Sequence, residues 1–192
     1  MNIKTFANDE KAQQKTIKNY YRFQAKIYDL TRWSFLFGRN NIIQKFDSFL
    51  DEFSIVAEIG CGTGHNLVNL ARNYPFVTLL GIDVSEDMIL KAKRKLVHYE
   101  NAKVFYQIPY DKDFQFNLHQ PSLILFSYVL SMMNPQWEEL IQKAYNDLDK
   151  GMHIAVVDFH YSKHSWFRKH MSEHHVRMEK HILPFLEDLF TP

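Results

Sequence analysis

Short apolar runs alternate along the chain with longer stretches in which apolar residues recur every three or four positions. Runs of this length, bounded by polar residues, predict buried strands, and the stretches between them predict amphipathic helices. Strands that alternate with helices predict an α/β fold, with a mainly parallel central sheet and helices on both faces. The five predicted strands cover residues 54–59, 77–83, 102–107, 122–126 and 152–158.

The segments that flank these strands have a different pattern. Residues 1–14 are polar and predict a flexible N-terminus. Apolar positions at helical spacing predict helices over 16–25 and 40–50. The length fits one domain with a full core. The predicted parts of this domain, residues 15–192, are a helical lid (15–50), a core (54–160) and a helical C-terminal segment (161–192).

The first predicted strand runs into a glycine-rich turn, Glu58-Ile59-Gly60-Cys61-Gly62-Thr63-Gly64. The glycines remove Cβ atoms where the chain turns sharply and where a ligand approaches the N-terminus of the next helix. A dinucleotide site would have a different glycine spacing. The acid before the first glycine would repel a pyrophosphate and favours a ligand with an ammonium or sulfonium group. Cys61 is interpreted as a packing residue and not as a nucleophile, because no basic partner is near it in the sequence.

The second predicted strand ends in another acid, Asp83. If the two strands are parallel neighbours, Glu58 and Asp83 lie at adjacent carboxyl ends of the sheet. An acid at the second position commonly accepts both hydroxyls of a ribose. Ser85 is predicted to cap the next helix, with Met88 on the inner face of that helix.

These two motifs, in this order, resemble those of the class I S-adenosylmethionine-dependent methyltransferases, and the resemblance covers roughly residues 15–190. It implies a Rossmann-like sandwich in which the glycine loop and Glu58 hold the methionine part of S-adenosyl-L-methionine and Asp83 holds the ribose. The lid of that family frequently carries a Tyr-Asp pair, here Tyr28-Asp29, although packing against the sheet is an equal interpretation of Tyr28. The residues expected to contact the cofactor are Tyr28, Glu58, Gly60, Cys61, Gly62, Gly64, Asp83, Val84, Met88, Gln107 and Ser127.

Two parts of the chain depart from the pattern of that family. The family places an acid shortly after the third strand, whereas here Gln107, Asp111 and Asp113 all remain candidates for contact with the adenine. The family sheet has seven strands and ends in an antiparallel hairpin, but only five strands are predicted here. Either the hairpin is lost or the chain is shortened, and the open sheet edge would invite a homodimer through strand pairing.

Two residues at predicted strand ends are candidate catalytic bases: Tyr128, after the fourth strand, and His160, after the fifth. An ammonium acceptor must lose a proton before it can accept a methyl group, so a base near the methyl would help. Structural packing explains either residue equally well. The fourth strand lacks the Asn-Pro-Pro-aromatic element of related enzymes that methylate nucleobases, which argues against a nucleic-acid substrate.

A closer resemblance, to the bacterial N-methyltransferases of betaine-lipid synthesis, rests on residues 20–29, 31–39, 134–137, 157–160 and 175–184. It implies threefold methylation of the amine of a diacylglyceryl-homoserine lipid. Tyr20, His175 and Arg177 are then expected to bind the acceptor, the latter two at its carboxylate. A lipid acceptor also predicts peripheral contact with a membrane and an exposed apolar patch near residues 33–37.

Composition narrows the classes of function and of ligand that remain. The 23 basic and 22 acidic residues produce no net field that would attract nucleic acid. One cysteine, a polar N-terminus and the absence of a long apolar run predict a cytoplasmic protein. His170 and His174 have the spacing of metal ligands on a helix, but no third ligand is assured and no metal is expected. The alternatives to an N-methyltransferase are an O-methyl or aminocarboxypropyl transferase and a non-catalytic protein that binds the cofactor.

Overall fold

The computed structural model of the chain describes residues 38–106, 110–111, 113–116, 120–148 and 152–190. Within these ranges, five strands alternate with six α-helices. The strands are β1 (Ile55–Ile59), β2 (Thr78–Asp83), β3 (Ala102–Tyr106), β4 (Leu123–Ser127) and β5 (His153–Val157). The helices are α1 (Gly38–Ile43), α2 (His65–Asn73), α3 (Glu86–Leu96), α4 (Trp137–Asp147), α5 (Ser165–Glu173) and α6 (Ile182–Leu189).

The five strands form one parallel sheet in the order β3-β2-β1-β4-β5. β1 lies at its centre, where Glu58 pairs with Gly81 of β2 and with Leu125 of β4. The strand order reverses between β1 and β4, and open α/β sheets bind ligands beyond the carboxyl ends of the strands at such a switch point. The α/β class, the five strands and the mainly parallel Rossmann-like sheet predicted from the sequence are confirmed.

Apolar side chains cover both faces of the sheet. Successive residues of β4 point to opposite sides, so that Leu125 packs in the layer formed with α2 and α3, and Phe126 in the layer formed with α4 and α6. All of β4 is buried, as expected of a strand inside a parallel sheet. Glu58, Asp83 and Ser127 lie at or next to the carboxyl ends of β1, β2 and β4.

Two helix boundaries differ from the sequence prediction. The helix predicted over 40–50 is the short α1 followed by a 3-10 helix, Gln44–Ser48. The Phe49 N–H donates to the Phe46 carbonyl at 2.9 Å, which is the tighter spacing of a 3-10 turn. Pro135 favours the first position of a helix, but α4 begins at Trp137, because Leu140 N–H makes the first helical bond to the carbonyl of Gln136, at 3.1 Å.

The described residues contain no strand after β5, whose neighbour in the sheet is β4. The sheet that they form therefore lacks the C-terminal hairpin, as predicted, and the outer edge of β5 is unpaired. In the same ranges, no helix has both the length and the apolar character needed to cross a membrane. The predicted helix over 16–25 and the predicted apolar patch near 33–37 lie outside the described residues.

Candidate functional site

A cavity of about 840 Å³ lies at the carboxyl ends of β1 and β2, beside α4. Gly60, Gly62 and Asp83 line one side of it, and Glu138 and Glu139 line the other. The apolar side chains of its wall include those of Ile59, Ile82, Val84, Met88, Val129, Met132, Met133, Leu140 and Phe185. A cavity with apolar walls and a few polar groups, at a switch point of an α/β sheet, is the expected position of a ligand.

The glycine loop closes the end of β1 against β2 through backbone hydrogen bonds. The N–H groups of Gly60 and Cys61 both donate to the carbonyl oxygen of Ile82, at 2.8 and 3.0 Å. Gly60 adopts a φ of +71°, and a Cβ there would meet Cγ2 of Val129 at 2.6 Å. A side chain at position 60 would therefore be strained and would collide with the loop after β4.

The Asp83 carboxylate is held by two backbone donors at the wall of the cavity. Its Oδ2 accepts from the N–H of Gly62 and its Oδ1 from the N–H of Ser85, both at 2.8 Å. Burial raises the pKa of Asp83, and the two N–H donors act in the opposite direction. Each oxygen keeps a lone pair that a hydroxyl of a ligand can use.

Glu58, the second acid, is enclosed behind the loop: it is 2% exposed and does not line the cavity. Asn66 of α2 donates from Nδ2 to Oε1 of Glu58 at 2.6 Å, whereas Oε2 has no hydrogen-bond partner among the described residues. Burial raises the pKa of Glu58 to about 8, while the bond from Asn66 and the charge of Arg39 oppose this shift. At neutral pH this carboxyl is therefore mostly protonated.

Tyr128 follows β4 and lines the cavity in a left-handed conformation, with a φ of +56° that is uncommon for a residue with a Cβ. Its hydroxyl accepts from the N–H of Gly38 at 3.2 Å. Its ring packs against Phe159, with centroids 4.9 Å apart, and the Arg39 guanidinium lies 5.8 Å from the ring centroid. Strained conformations that the surroundings maintain in this way are concentrated at functional sites.

The residues predicted to bind ligands fall into groups by their position. Those that line the cavity are Gly60, Gly62, Asp83, Val84, Met88 and Tyr128. Those that are buried without lining it are Glu58, Cys61, Gly64 and Ser127. Those that are exposed and do not line it are His160, His175 and Arg177. Those that lie outside the described residues are Tyr20, Tyr28 and Gln107.

Hydrogen bonds fix the loops on both sides of α5, with His160 and Arg177 outside the cavity. Arg177 donates from Nε to Glu179 at 2.7 Å, and its backbone N–H donates to the Ser131 carbonyl at 2.8 Å. The backbone carbonyl of His160 accepts from the N–H of Lys180 at 3.0 Å. The segment after β5 thus closes on itself, and the side chains of His160 and Arg177 lie at the surface.

The side of the cavity that sequence reasoning missed is formed by α4, from which Glu138, Glu139 and Lys143 line it. The amphipathic pattern of this helix predicts an inner apolar face, but it does not distinguish a polar stripe that faces a ligand from one that faces solvent. Asp111, one of the three candidates for contact with the adenine, also lines the cavity, next to Tyr110.

Negative charge predominates in the cavity. Its carboxylates belong to Asp83, Asp111, Glu138 and Glu139. Among the described lining residues the basic side chain is that of Lys143, and its ammonium is paired with Asp147. A site with this balance, and with walls that are otherwise apolar, attracts cations and disfavours anions.

Two neighbouring histidines of α5 and its cap have the spacing of metal ligands on a helix. The rings of His170 and His174 lie together, with centroids 4.8 Å apart. α5 ends at Glu173, and His174 caps it. Within the described ranges, no group of three or more His, Cys, Asp or Glu side chains is arranged to hold a metal ion.

Comparisons with known proteins relate this fold and site to a family. Residues 57–154, about half of the chain, match the family model for a methyltransferase domain. Carboxy-S-adenosyl-L-methionine synthase of Nautilia profundicola is 28% identical over 149 residues, which cover 73% of this chain and 62% of that protein. Trans-aconitate 2-methyltransferase of Methylobacterium nodulans is 29% identical over 103 residues, which cover 53% of this chain and 36% of that protein. The chain thus spans less than two thirds of the length of these relatives.

A solved structure with a similar fold is phosphoethanolamine N-methyltransferase 2 of Haemonchus contortus, in complex with S-adenosyl-L-methionine. The TM-score is 0.64, and the match covers 85% of this chain and 43% of that one. The sequence identity is 13%, so the likeness concerns the fold alone.

Proposed function

The chain belongs to the methyltransferase domain family, a class I family that uses S-adenosyl-L-methionine, and on that premise we propose that it methylates an amine of a small molecule or lipid. The observation that carries the proposal is the composition of the cavity. Four carboxylates line it, its described ammonium group is already paired, and the remaining wall is mostly apolar. Such a cavity suits a cationic donor together with an acceptor that is positively charged before it reacts.

The residues present fit this cofactor. Asp83 has one unused lone pair on each oxygen, which suits two adjacent ribose hydroxyls. Gly60 and Gly62 let the ligand approach the backbone without a Cβ in the way. Glu58 lies behind the loop with an unpartnered Oε2, an acceptor that a cationic amino group can satisfy through a bridging water.

When bound, the cofactor supplies a methyl group on a sulfonium, whose carbon the acceptor nitrogen attacks in line with the breaking C–S bond. The chain must exclude water from this step, orient the nitrogen and remove its proton. Tyr128 orients the acceptor, because it lines the cavity and its hydroxyl is fixed by the N–H of Gly38. Glu138 and Glu139 both line the cavity and are exposed, so they can carry the proton to solvent.

The finer part of the proposal is an acceptor of the betaine-lipid type. It is supported by the sequence resemblance over residues 20–29, 157–160 and 175–184 and by apolar walls that can hold hydrocarbon beside a head group. In this proposal Tyr20 and Tyr28 approach the ligands from the lid. Arg177 binds the acceptor carboxylate only after its side chain leaves Glu179.

A second candidate is a different reaction of the same cofactor, which the likeness to carboxy-S-adenosyl-L-methionine synthase favours. The name of that relative indicates a product with an added carboxyl group. The charge of the cavity opposes this candidate. A new carboxylate would lie among Asp111, Glu138 and Glu139, and the described wall offers no unpaired cation to receive it.

Product masses test the proposal. The chain is incubated with S-adenosyl-L-methionine alone, with primary to tertiary amines in free and lipid-linked form, and with carboxylic acids. We expect S-adenosyl-L-homocysteine only when an amine is present, with a product heavier by one methylene unit for each methyl added. Methylated acids would instead show O-methyl transfer, and a heavier derivative of the cofactor would support the second candidate. Binding of the cofactor without turnover on any acceptor would indicate a non-catalytic protein.

The proposal also includes self-association through β5. In the described sheet this strand pairs with β4 and leaves its outer N–H and C=O groups free for a second copy. Light scattering after size exclusion measures this association. A monomer at every concentration would remove the dimer and leave the proposed chemistry unaffected.

A further inference from the structure

One surface of the molecule combines exposed aromatic rings with basic side chains: α5 and its flanking loops, residues 160–181, which we call the C-terminal basic surface. Trp166 of α5 is 68% exposed and Tyr161 is 47% exposed. Exposed aromatic rings that lie together beside basic side chains mark a candidate interaction surface, whereas a single exposed ring does not.

The C-terminal basic surface is positively charged, although the whole chain is nearly balanced. Residues 160–181 contain five Lys and Arg residues and two Glu residues. One of these acids, Glu179, is already paired with Arg177 at 2.7 Å. Lys163 and Lys169 are both exposed. Basic residues thus exceed acidic ones by three on this surface, compared with one in the whole chain.

Basic and aromatic groups alternate in space as well as in sequence. The guanidinium of Arg168 lies 5.2 Å from the centroid of the Tyr161 ring, and the ammonium of Lys180 lies 4.7 Å from it. The ring of Trp166 packs edge-on against Phe167, with centroids 5.6 Å apart. Amphipathic rings beside long basic side chains are the combination that settles at the boundary between lipid head groups and acyl chains.

The inner side of this surface connects to the cavity. Met171, Val176 and Met178 form a small buried cluster beneath α5, and Met132 packs against it. Met132 also lines the cavity. One apolar cluster therefore separates the C-terminal basic surface from the wall of the proposed active site.

We propose that the C-terminal basic surface docks on an anionic lipid bilayer, with Trp166 at the interface and with Lys163 and Lys169 facing lipid phosphates. Docking would bring a lipid acceptor close to the cavity. This role of the docking rests on the proposed function. RNA is the other polyanion that a basic surface can attract. The nearness of this surface to the cavity, across one apolar cluster, favours lipid, because a lipid acceptor would be drawn from the membrane that the surface contacts.

Vesicle co-sedimentation of the full chain tests the docking. The vesicles contain phosphatidylcholine alone or phosphatidylcholine mixed with phosphatidylglycerol. We expect binding to the mixed vesicles, and a loss of about thirtyfold in partition coefficient for the double variant Lys163→Gln, Lys169→Gln, because each basic residue near an anionic surface contributes on the order of 1 kcal/mol. Trp166→Lys should also weaken binding, although it adds a positive charge.

A matched control removes the same charge from another exposed helix. Lys93 and Arg94 of α3 are exposed, and Leu90 beside them is 47% exposed, but this helix carries no aromatic ring. The double variant Lys93→Gln, Arg94→Gln should bind mixed vesicles as the wild type does, within about twofold, because the Debye length of about 10 Å confines the effect of each charge. Thermal melting of every variant confirms that it is folded.

Three results would overturn the docking: equal losses in the two double variants, tighter binding by Trp166→Lys, or binding to polyuridylate but not to the mixed vesicles. Methyl transfer to a water-soluble amine without vesicles should be the same in the wild type and in all these variants. If that transfer is absent in all of them while vesicle binding follows the expected pattern, the proposed function fails and the docking stands.

Discussion

The acids at the carboxyl ends of β1 and β2 have the same chemistry and opposite surroundings. Asp83 receives two backbone N–H donors and lines the cavity, whereas Glu58 has one side-chain donor, one unpartnered oxygen and no cavity surface. Burial raises the pKa of both, and that of Glu58 reaches about 8. Neighbouring strand ends can therefore hold one acid as a fixed acceptor and the other as a carboxyl that keeps its proton at neutral pH.

Strand register explains the difference. Glu58 pairs with Gly81, so it lies two residues before the level at which Asp83 ends β2. At that depth Glu58 is covered by the glycine loop and by Asn66 of α2. Asp83 reaches the level at which backbone N–H groups of the loops are available. A difference of two residues along parallel strands is thus sufficient to separate the two roles.

The largest expected effect is on the pH dependence of the free energy of unfolding, and it follows from the protonated state of Glu58 in the folded protein. Its folded-state pKa of about 8 lies above the ordinary value of 4.5. The folded carboxyl therefore keeps a proton that the unfolded one has lost, and the free energy of unfolding should fall as the pH rises from about 4.5 to about 8. The slope is about 1.4 kcal/mol per pH unit, or on the order of 4 kcal/mol over the window.

Glu58→Gln should remove this pH dependence, because the amide does not titrate. Denaturant unfolding of both proteins at several pH values measures the difference, which should grow in favour of the variant as the pH rises. Glu52→Gln, at an exposed carboxyl, serves as the control and should follow the wild type. Parallel curves for wild type and Glu58→Gln would show that Glu58 is ionised in the folded protein.

The next largest effect is on the affinity for the cofactor, and it concerns Asp83, whose carboxylate is fixed by two backbone donors. Asp83→Asn keeps the shape of the side chain but replaces one acceptor oxygen by a donor, which would face a backbone N–H or a ribose hydroxyl. We expect binding of S-adenosyl-L-methionine to weaken by roughly 10- to 100-fold, as for the loss of a hydrogen bond to a charged group. Calorimetric titration measures it, with Asp188→Asn on the exposed face of α6 as the control. Unchanged affinity would exclude Asp83 from the site.

A smaller effect is expected at Tyr128. Tyr128→Phe removes the bond to the N–H of Gly38 and should cost about 1 kcal/mol of stability. If the hydroxyl also orients the acceptor, turnover should fall while affinity for the cofactor is retained. Steady-state kinetics and cofactor titration separate the two outcomes. Loss of stability with unchanged turnover would make Tyr128 a structural residue.

The smallest effect is expected on the far wall of the cavity. Glu139→Gln removes one of four negative charges from an exposed position, so the KM of a cationic amine should rise only a few-fold, as for a partly screened charge. The rise should diminish at high salt. Glu187→Gln on α6, at an exposed carboxyl that does not line the cavity, is the control. A KM that rises equally for a neutral acceptor would contradict charge recognition.

Local chemistry made the first half of the site predictable. Turn geometry and periodicity can be recognised in the sequence. They determine the glycine loop, the acid at the end of β2 and the alternation of strands and helices. Gly60 and Asp83 line the cavity, and their contact with the cofactor stays a prediction. The five strands were also predicted to within a residue or two of their observed bounds.

The other features of the site could not be predicted from the sequence, because they depend on how the strands and helices pack in three dimensions. The enclosure of Glu58 depends on the register between β1 and β2, which no local pattern reports. The contribution of α4 to the cavity depends on which way its polar stripe faces. His160 and Arg177 lie away from the cavity because the segment after β5 closes on itself through bonds such as Lys180 N–H to the His160 carbonyl.

Calorimetric titration of S-adenosyl-L-methionine into the chain at pH 7, in two buffers of different ionisation enthalpy, tests most directly whether the two acids serve one cationic ligand. We predict binding with release of up to one proton, because the arriving cation favours the ionised form of Glu58. The release should be absent in Glu58→Gln. No binding, or binding with the same heat in both buffers, would contradict this division of roles.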